Sequence, residues 1–368
     1  MRVNERVKLG HLDRMTDSAG LIQHGIYSIP RRESGYTTDD NARALRLCAR
    51  LWEQQPDDRM LGRVTTYLSF LEHARCPVRG FHNFLSYQRD WLDVEGTGDC
   101  QGQAFLALAE VLGSSLPEGC RMLARELIDA VTPALADLRS LRAQAYVILA
   151  WERLSISVVK DLERIEKVAR SAAERLMECY RRSQRADWPW VESRMTYANA
   201  VLPHALFVAA RCWPETEFLG VAEATFAFLD RETTVGDIFW PVGNSDWYPH
   251  GEEKSAYDQQ PLEASTMAEA ALAGFALSSD ESYLAAFRRA RNWFHGHNSL
   301  KLPLVDVRRG ACYDGLQPSG VNRNEGAESM LAYLWTELNG KDPSLCVKNH
   351  TGPRRMPICS IATATIPS

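Results

Sequence analysis

The sequence predicts an all-α fold in which six helical hairpins close into an inner and an outer ring. Three observations carry that expectation. Nearly all-apolar helices open close to residues 40, 99, 141, 196, 261 and 325, at intervals of roughly 45–65 residues. Amphipathic segments alternate with them, at 59–74, 117–138, 158–180, 215–231 and 281–295, and residues 5–17 supply a sixth partner. No convincing run of alternating strand residues appears. A helix that is apolar all round needs cover on both sides, whereas an amphipathic one needs it on one side only. An inner ring inside an outer ring satisfies both.

The elements follow in order. Gly35-Tyr36-Thr37-Thr38-Asp39-Asp40-Asn41-Ala42-Arg43-Ala44-Leu45 runs from a polar, acidic segment straight into a helix. Thr38 or Asp39 is expected to cap it, and its carboxylates suit the positive end of the helix dipole. Ala44, Leu45, Leu47, Cys48, Leu51 and Trp52 give it an apolar surface too wide for a helix with a wet side. The next helix repeats Leu61, Val64, Tyr67, Leu68 and Leu71 at helical spacing. Asp99 to Leu108, Arg142 onward and Tyr197-Ala198-Asn199-Ala200-Val201-Leu202-Pro203-His204-Ala205-Leu206 open three more helices of the first type. Pro261 fits the first position of the fifth, and Glu325 to Leu331 opens the sixth. Loops carrying Arg79 to Trp91 and Trp188 to Ser193, and longer ones at 232–260 and 296–324, join the helices.

At 368 residues, with 45% hydrophobic residues, the chain is ample for one large core, placed here at residues 1–340. Residues 341–368 have no periodic pattern and are expected to pack poorly. A net charge of −5 argues against a nucleic-acid partner. No apolar run approaches membrane-spanning length, and no apolar segment of a secretory signal follows Met1 to Arg6. Nine scattered Cys without a CxxC pair read as buried thiols of a reducing compartment, hence a cytoplasmic location. There is no His-x-x-x-His pair and no Gly-rich phosphate loop, so neither metal nor cofactor is expected.

In such a ring the polar first turns of the inner helices converge at one end. Asp39, Asp40, Arg43, Asp99, Gln103, Glu192, Tyr197, Asn199, Asp258, Gln259, Glu325 and Glu328 would meet there, with His24 from a loop. Acids, amides and a guanidinium in a deep pit suit a ligand with many hydroxyls. Five of the ten Trp lie in loops: Trp91, Trp188, Trp190, Trp240 and Trp247. Exposed loop aromatics are costly without a partner, and at the mouth of the pit they could stack on sugar rings. Packing anchors for long loops are the plainer alternative.

The motifs Gly35 to Leu45, Tyr197 to Leu206 and Asn324-Glu325-Gly326-Ala327-Glu328-Ser329 together resemble a group of bacterial six-hairpin, (α/α)6-barrel glycosidase-like proteins, often found beside or fused to glycosyltransferases. The resemblance covers residues 5–340. The adjacent aspartates are more distantly similar to those of barrel enzymes that cleave α-mannan. The resemblance implies an (α/α)6 barrel and association with a glycosyltransferase.

The expected function is therefore glycoside hydrolysis of an oligosaccharide containing mannose or glucose. One carboxylic acid protonates the leaving oxygen and one carboxylate activates water. Inversion is expected, with the two groups roughly 6.5–9.5 Å apart. The expected pair is Asp40 with Glu192, assisted by Asp39, with Asp258 and Glu325 in reserve. Tyr36, Arg43, Asp99, Gln103, Asn199, Gln259, Glu328 and the loop aromatics are expected to bind sugar. Two alternatives stay open. One is a sugar epimerase or isomerase using His24, His204 or His250, since imidazole titrates near neutrality. The other is a non-catalytic glycan-binding partner of a glycosyltransferase.

Overall fold

The computed structural model describes residues 7–154, 162–214 and 217–340. The inner ring consists of α2 (Thr38–Gln54), α4 (Gly98–Leu112), α6 (Leu141–Leu154), α8 (Val201–Cys212), α10 (Pro261–Ser278) and α12 (Ala327–Gly340). Each packs on the next, and α12 returns to pack on α2, closing the barrel. The outer helices are α1 (Gly10–Met15), α3 (Asp58–His73), α5 (Glu118–Leu135), α7 (Leu162–Ser183), α9 (Phe218–Glu232) and α11 (Glu281–Phe294). The expected (α/α)6 barrel is thus observed.

The two rings differ as their sequences require. On α4 every residue from Cys100 to Leu112 is buried. On α7 only Ile165, Val168, Ala169, Ala172, Ala173, Leu176 and Met177 are, which is one stripe at helical spacing. Gly102 lets α4 lie close to α6, because a Cβ there would meet the Ala143 carbonyl oxygen at 2.9 Å. No described helix is long and apolar enough to cross a membrane.

Several boundaries move from the expected positions. The first helix ends at Met15, because Asp17 Oδ1 accepts from the Ala19 and Gly20 amides and turns the chain. The fourth inner helix starts at Val201 rather than 196. Ala198 is left-handed (φ 45°), and Asn199 uses its side chain to bond the Thr196 amide and carbonyl. The loops hold six short antiparallel pairs rather than being irregular throughout. One joins Tyr36–Thr37 to Phe84–Leu85, and another joins Gly315–Gln317 to Gly320–Asn322. The tail from residue 341 and the start of the segment expected at 158–180 lie outside the described residues.

Candidate active site

The first turn of α2 is built by its own cap. Thr37, one residue earlier than expected, is the N-cap: its Oγ1 accepts from the Asp40 amide (3.4 Å) and donates to Asp40 Oδ2 (2.8 Å). The remaining Asp40 oxygen receives Arg43 Nη1 at 2.8 Å. Arg43 also lies 4.0 Å from Asp39 and, through Nη2, 3.2 Å from Glu328 at the start of α12. One guanidinium therefore joins three carboxylates from two adjacent inner helices. Asn41 faces away from the opening. It accepts from the Leu21 amide (2.8 Å) and donates to the Thr37 carbonyl (2.8 Å), fastening the segment that leads to His24.

These groups line a cavity of about 360 Å³ at the end of the barrel where the inner helices begin. Five carboxylates face it: Asp39, Asp40, Asp258, Asp314 and Glu328. Arg43, His24, Gln23, Asn244, Gln260, Gln317 and Asn322 complete its polar wall. Burial, reinforced by the neighbouring Asp39, pushes Asp40 from an ordinary 3.8 up to about 7, against the pull of Arg43. Burial also raises Glu328 and Asp314. Among the described residues no group of three or more His, Cys, Asp and Glu could hold a metal ion.

Asp258 is placed by a strap. The Asn244 amide donates to its carbonyl (2.9 Å), and its own amide donates to Ser245 Oγ (3.1 Å). The strap lies so close that a Cβ on Gly243 would land on the Tyr257 carbonyl oxygen. Asp314 is held at the N-terminus of α12, where its Oδ1 accepts from the Gly326 amide at 2.7 Å.

The structure thus brings together Asp39, Asp40, Arg43, His24, Asp258 and Glu328. The other residues singled out in the sequence lie elsewhere. Glu192 does not line the cavity. Its Oε1 accepts from Arg142 (2.7 Å), whose guanidinium also holds the Tyr197 carbonyl and Thr196 Oγ1. Asp99 accepts from Tyr197 OH and Ser140 Oγ, both at 2.6 Å. Asn199 donates to Glu263, a buried carboxyl. These contacts engage the polar groups on the α4, α6 and α8 side, and the residues that line the cavity come from the α2, α10 and α12 side. Glu325 is buried in a two-pronged pair with Arg309 (2.8 and 2.9 Å). Gln259 is fully buried, bonded to Trp293, Ser299 and the Ala256 carbonyl. Tyr36 is buried with its hydroxyl on Asp17, and Gln103 lines a smaller cavity below.

None of the five loop Trp lines the cavity. Trp188 and Trp190 are buried against Phe228, and Trp91 stacks on His82. Trp240 bonds the Ala256 carbonyl, and Trp247 bonds Asn244 Oδ1. They anchor loops, and Trp247 does so through a lining residue, Asn244. The sequence reading overlooked Gln23, Gln317 and Asn322. The turn sequence Gln317-Pro318-Ser319-Gly320 is the signal that predicts the hairpin carrying two of them.

No known family model and no curated sequence matches the chain. Solved structures do. A cellobiose 2-epimerase from Spirochaeta thermophila is 14% identical over 91% of this chain and 92% of that one, with a TM-score of 0.67. A D-mannose isomerase is 14% identical, covering 92% and 94%, with a TM-score of 0.67. A GH76 α-mannanase from Bacteroides thetaiotaomicron is 9% identical, covering 92% and 93%, with a TM-score of 0.61. The chain therefore shares the six-hairpin (α/α)6 fold of enzymes acting on sugars, hydrolases and epimerases alike. At these identities the likeness is one of fold, and the chemistry must be argued from the side chains.

Proposed function

We propose that the protein is a glycoside hydrolase acting on an oligosaccharide. The observation that carries this reading is Asp40: a carboxyl that burial pushes up to about 7, in a cavity whose other walls bear further carboxylates. Hydrolysis needs this asymmetry, one acid to protonate the leaving oxygen and one carboxylate to activate water or attack the sugar. Asp40 is the acid. Asp258 lines the same cavity, which Glu192 and Glu325 do not, and it is the carboxylate that acts with Asp40. No donor among the described residues meets the Asp258 side chain, which leaves it free for water or substrate. Arg43 fixes Asp40 and Glu328, and the amides of Gln23, Asn244, Gln260 and Gln317 suit sugar hydroxyls.

The test is reducing-end release from manno- and gluco-oligosaccharides. Asp40→Asn and Asp258→Asn should each lower turnover by several orders of magnitude, with the helical circular dichroism unchanged. Normal turnover in either variant removes that residue from the reaction.

A second reading, sugar epimerisation or isomerisation, is favoured by one observation: His24 faces the same cavity. Against it stands His204, which lies in the smaller cavities beneath and is driven down to about 4 by burial. No second imidazole faces the upper cavity among the described residues. An isomeric product without new reducing ends, abolished by His24→Ala and surviving Asp40→Asn, would replace the hydrolase with this second activity.

A further inference from the structure

With the five loop Trp facing elsewhere, the rim of the cavity carries a different apolar feature. The hairpin pairing Gly25–Ile26 with Ile29–Pro30 exposes Ile26 (52%), Tyr27 (65%) and Ile29 (60%) within four residues. It continues directly from Gln23 and His24, which line the cavity. Three bonds bolt this segment to the leader of α12. The Ala327 amide donates to the Gln23 carbonyl (3.0 Å), the Glu325 amide to the Tyr27 carbonyl (3.0 Å), and the Tyr27 amide to Asn324 Oδ1 (3.0 Å). Gln23 and Ala327 sit at the cavity end of this pairing, and Tyr27 at its outer end.

Tyr27 is also left-handed, with φ 52°. A bulky residue seldom adopts that conformation, and it persists only where surrounding bonds enforce it. Here an asparagine side chain and a backbone amide do so, and what they hold rigidly is a ring open to solvent. A cavity of about 360 Å³ is at the small end for ligand sites. An oligosaccharide longer than the cavity extends past its lining residues, and Tyr27 follows two of them, Gln23 and His24, by four and three residues.

We propose that Tyr27 is the outer sugar-stacking platform of the site, receiving a hexose unit that projects beyond the cavity, with Ile26 and Ile29 extending the apolar surface. This rests on reading the cavity as a saccharide site. Tyr27 sets length preference; Asn324 is a positioning residue that acts through it.

The test compares affinity for two-unit and six-unit α-1,6-manno- and cello-oligosaccharides by titration calorimetry, in parallel with reducing-end release. Tyr27→Gly removes the ring and relieves the left-handed backbone, so the fold is not burdened. The wild type is expected to prefer the six-unit chain. Tyr27→Gly should reduce that preference about 3- to 10-fold, and Tyr27→Phe should restore it. Hydrolysis with an unchanged length preference in Tyr27→Gly overturns the platform and leaves the hydrolase reading standing. Length preference that follows Tyr27 without any hydrolysis supports the platform and overturns the hydrolase reading. No affinity for any of these sugars in the wild type overturns both.

Discussion

Asp40 has two neighbours pulling its proton in opposite directions. Burial and the adjacent Asp39 favour the protonated form, and Arg43 favours the ionised one; the first pair wins. A carboxyl whose folded value is raised from 3.8 to about 7 binds its proton more tightly in the folded chain than in the unfolded one. Its stabilising contribution is complete below about 4 and is lost as pH rises through about 7. Asp40→Asn removes that dependence. Thermal melts should show the variant gaining on the wild type between pH 4 and pH 8, by on the order of 2–4 kcal/mol, or several degrees. In the wild type, kcat/KM should fall on the alkaline side with a midpoint near 7, as the acid deprotonates. A flat alkaline limb would show that Asp40 does not donate the proton. Asp40 and Asp39 are legible in the sequence because a helix first turn states its own direction. Glu192 and Glu325 look equally suitable there. What takes them out of the cavity is Arg142, 50 residues away along the chain, and Arg309, whose pairing is set by folding.

At the scale of the elements, the site depends on straps more than on the helices it decorates. The Gly243–Ser245 strap holds Asp258 through backbone and hydroxyl bonds, and no Cβ fits between it and Tyr257. Gly243→Ala should therefore push Asp258 off position while leaving both rings of helices intact. We expect turnover to fall at least about 10-fold, since an error near 1 Å in a reacting group costs far more than that. Urea melts should show a much smaller proportional change. Asn41 offers the complementary case. Its side chain joins Leu21 to the cap of α2 from a fully buried position. Asn41→Ala leaves the Leu21 amide without its acceptor and should cost about 1–3 kcal/mol, measurable by urea denaturation. The inner helices are readable in sequence because their apolar surfaces are too broad for any wet position. The short strand pairs are not, because each has only two or three residues and is fixed by the loop facing it. The same limit misdirected the Trp. A sequence places Trp188 and Trp190 in a loop but does not show that Phe228 lies beneath both.

The whole molecule closes its ring around a charged axis rather than a purely apolar one. Below the cavity, Arg46 pairs with Glu269 across α2 and α10 (2.8 Å) and lies 4.0 Å over the Trp335 ring of α12. Deeper still, Glu110 lies between Arg50 (3.6 Å) and Arg153 (3.3 Å), and Arg211 pairs with Glu152. Burial works to raise Glu269, and the Arg46 guanidinium beside it overcomes that, so the carboxyl stays ionised. The alternation of inner and outer helices makes the barrel legible, but nothing in the pattern shows that Arg46 turns inward. Arginines spaced along a largely apolar helix, as Arg43, Arg46 and Arg50 are on α2, read as a wet edge until the ring closes over them. The axis gives a whole-molecule test. Glu269→Ala strands the Arg46 guanidinium in the interior, and such a stranded charge costs about 3–5 kcal/mol. Replacing both partners, as Arg46→Met with Glu269→Met, removes the charge and its desolvation together and should recover most of that loss. Urea denaturation of Arg46→Met, Glu269→Met and the double variant measures the coupling. Losses that simply add would mean that Arg46 and Glu269 do not act as a pair, and that the axis is held by the surrounding helices alone.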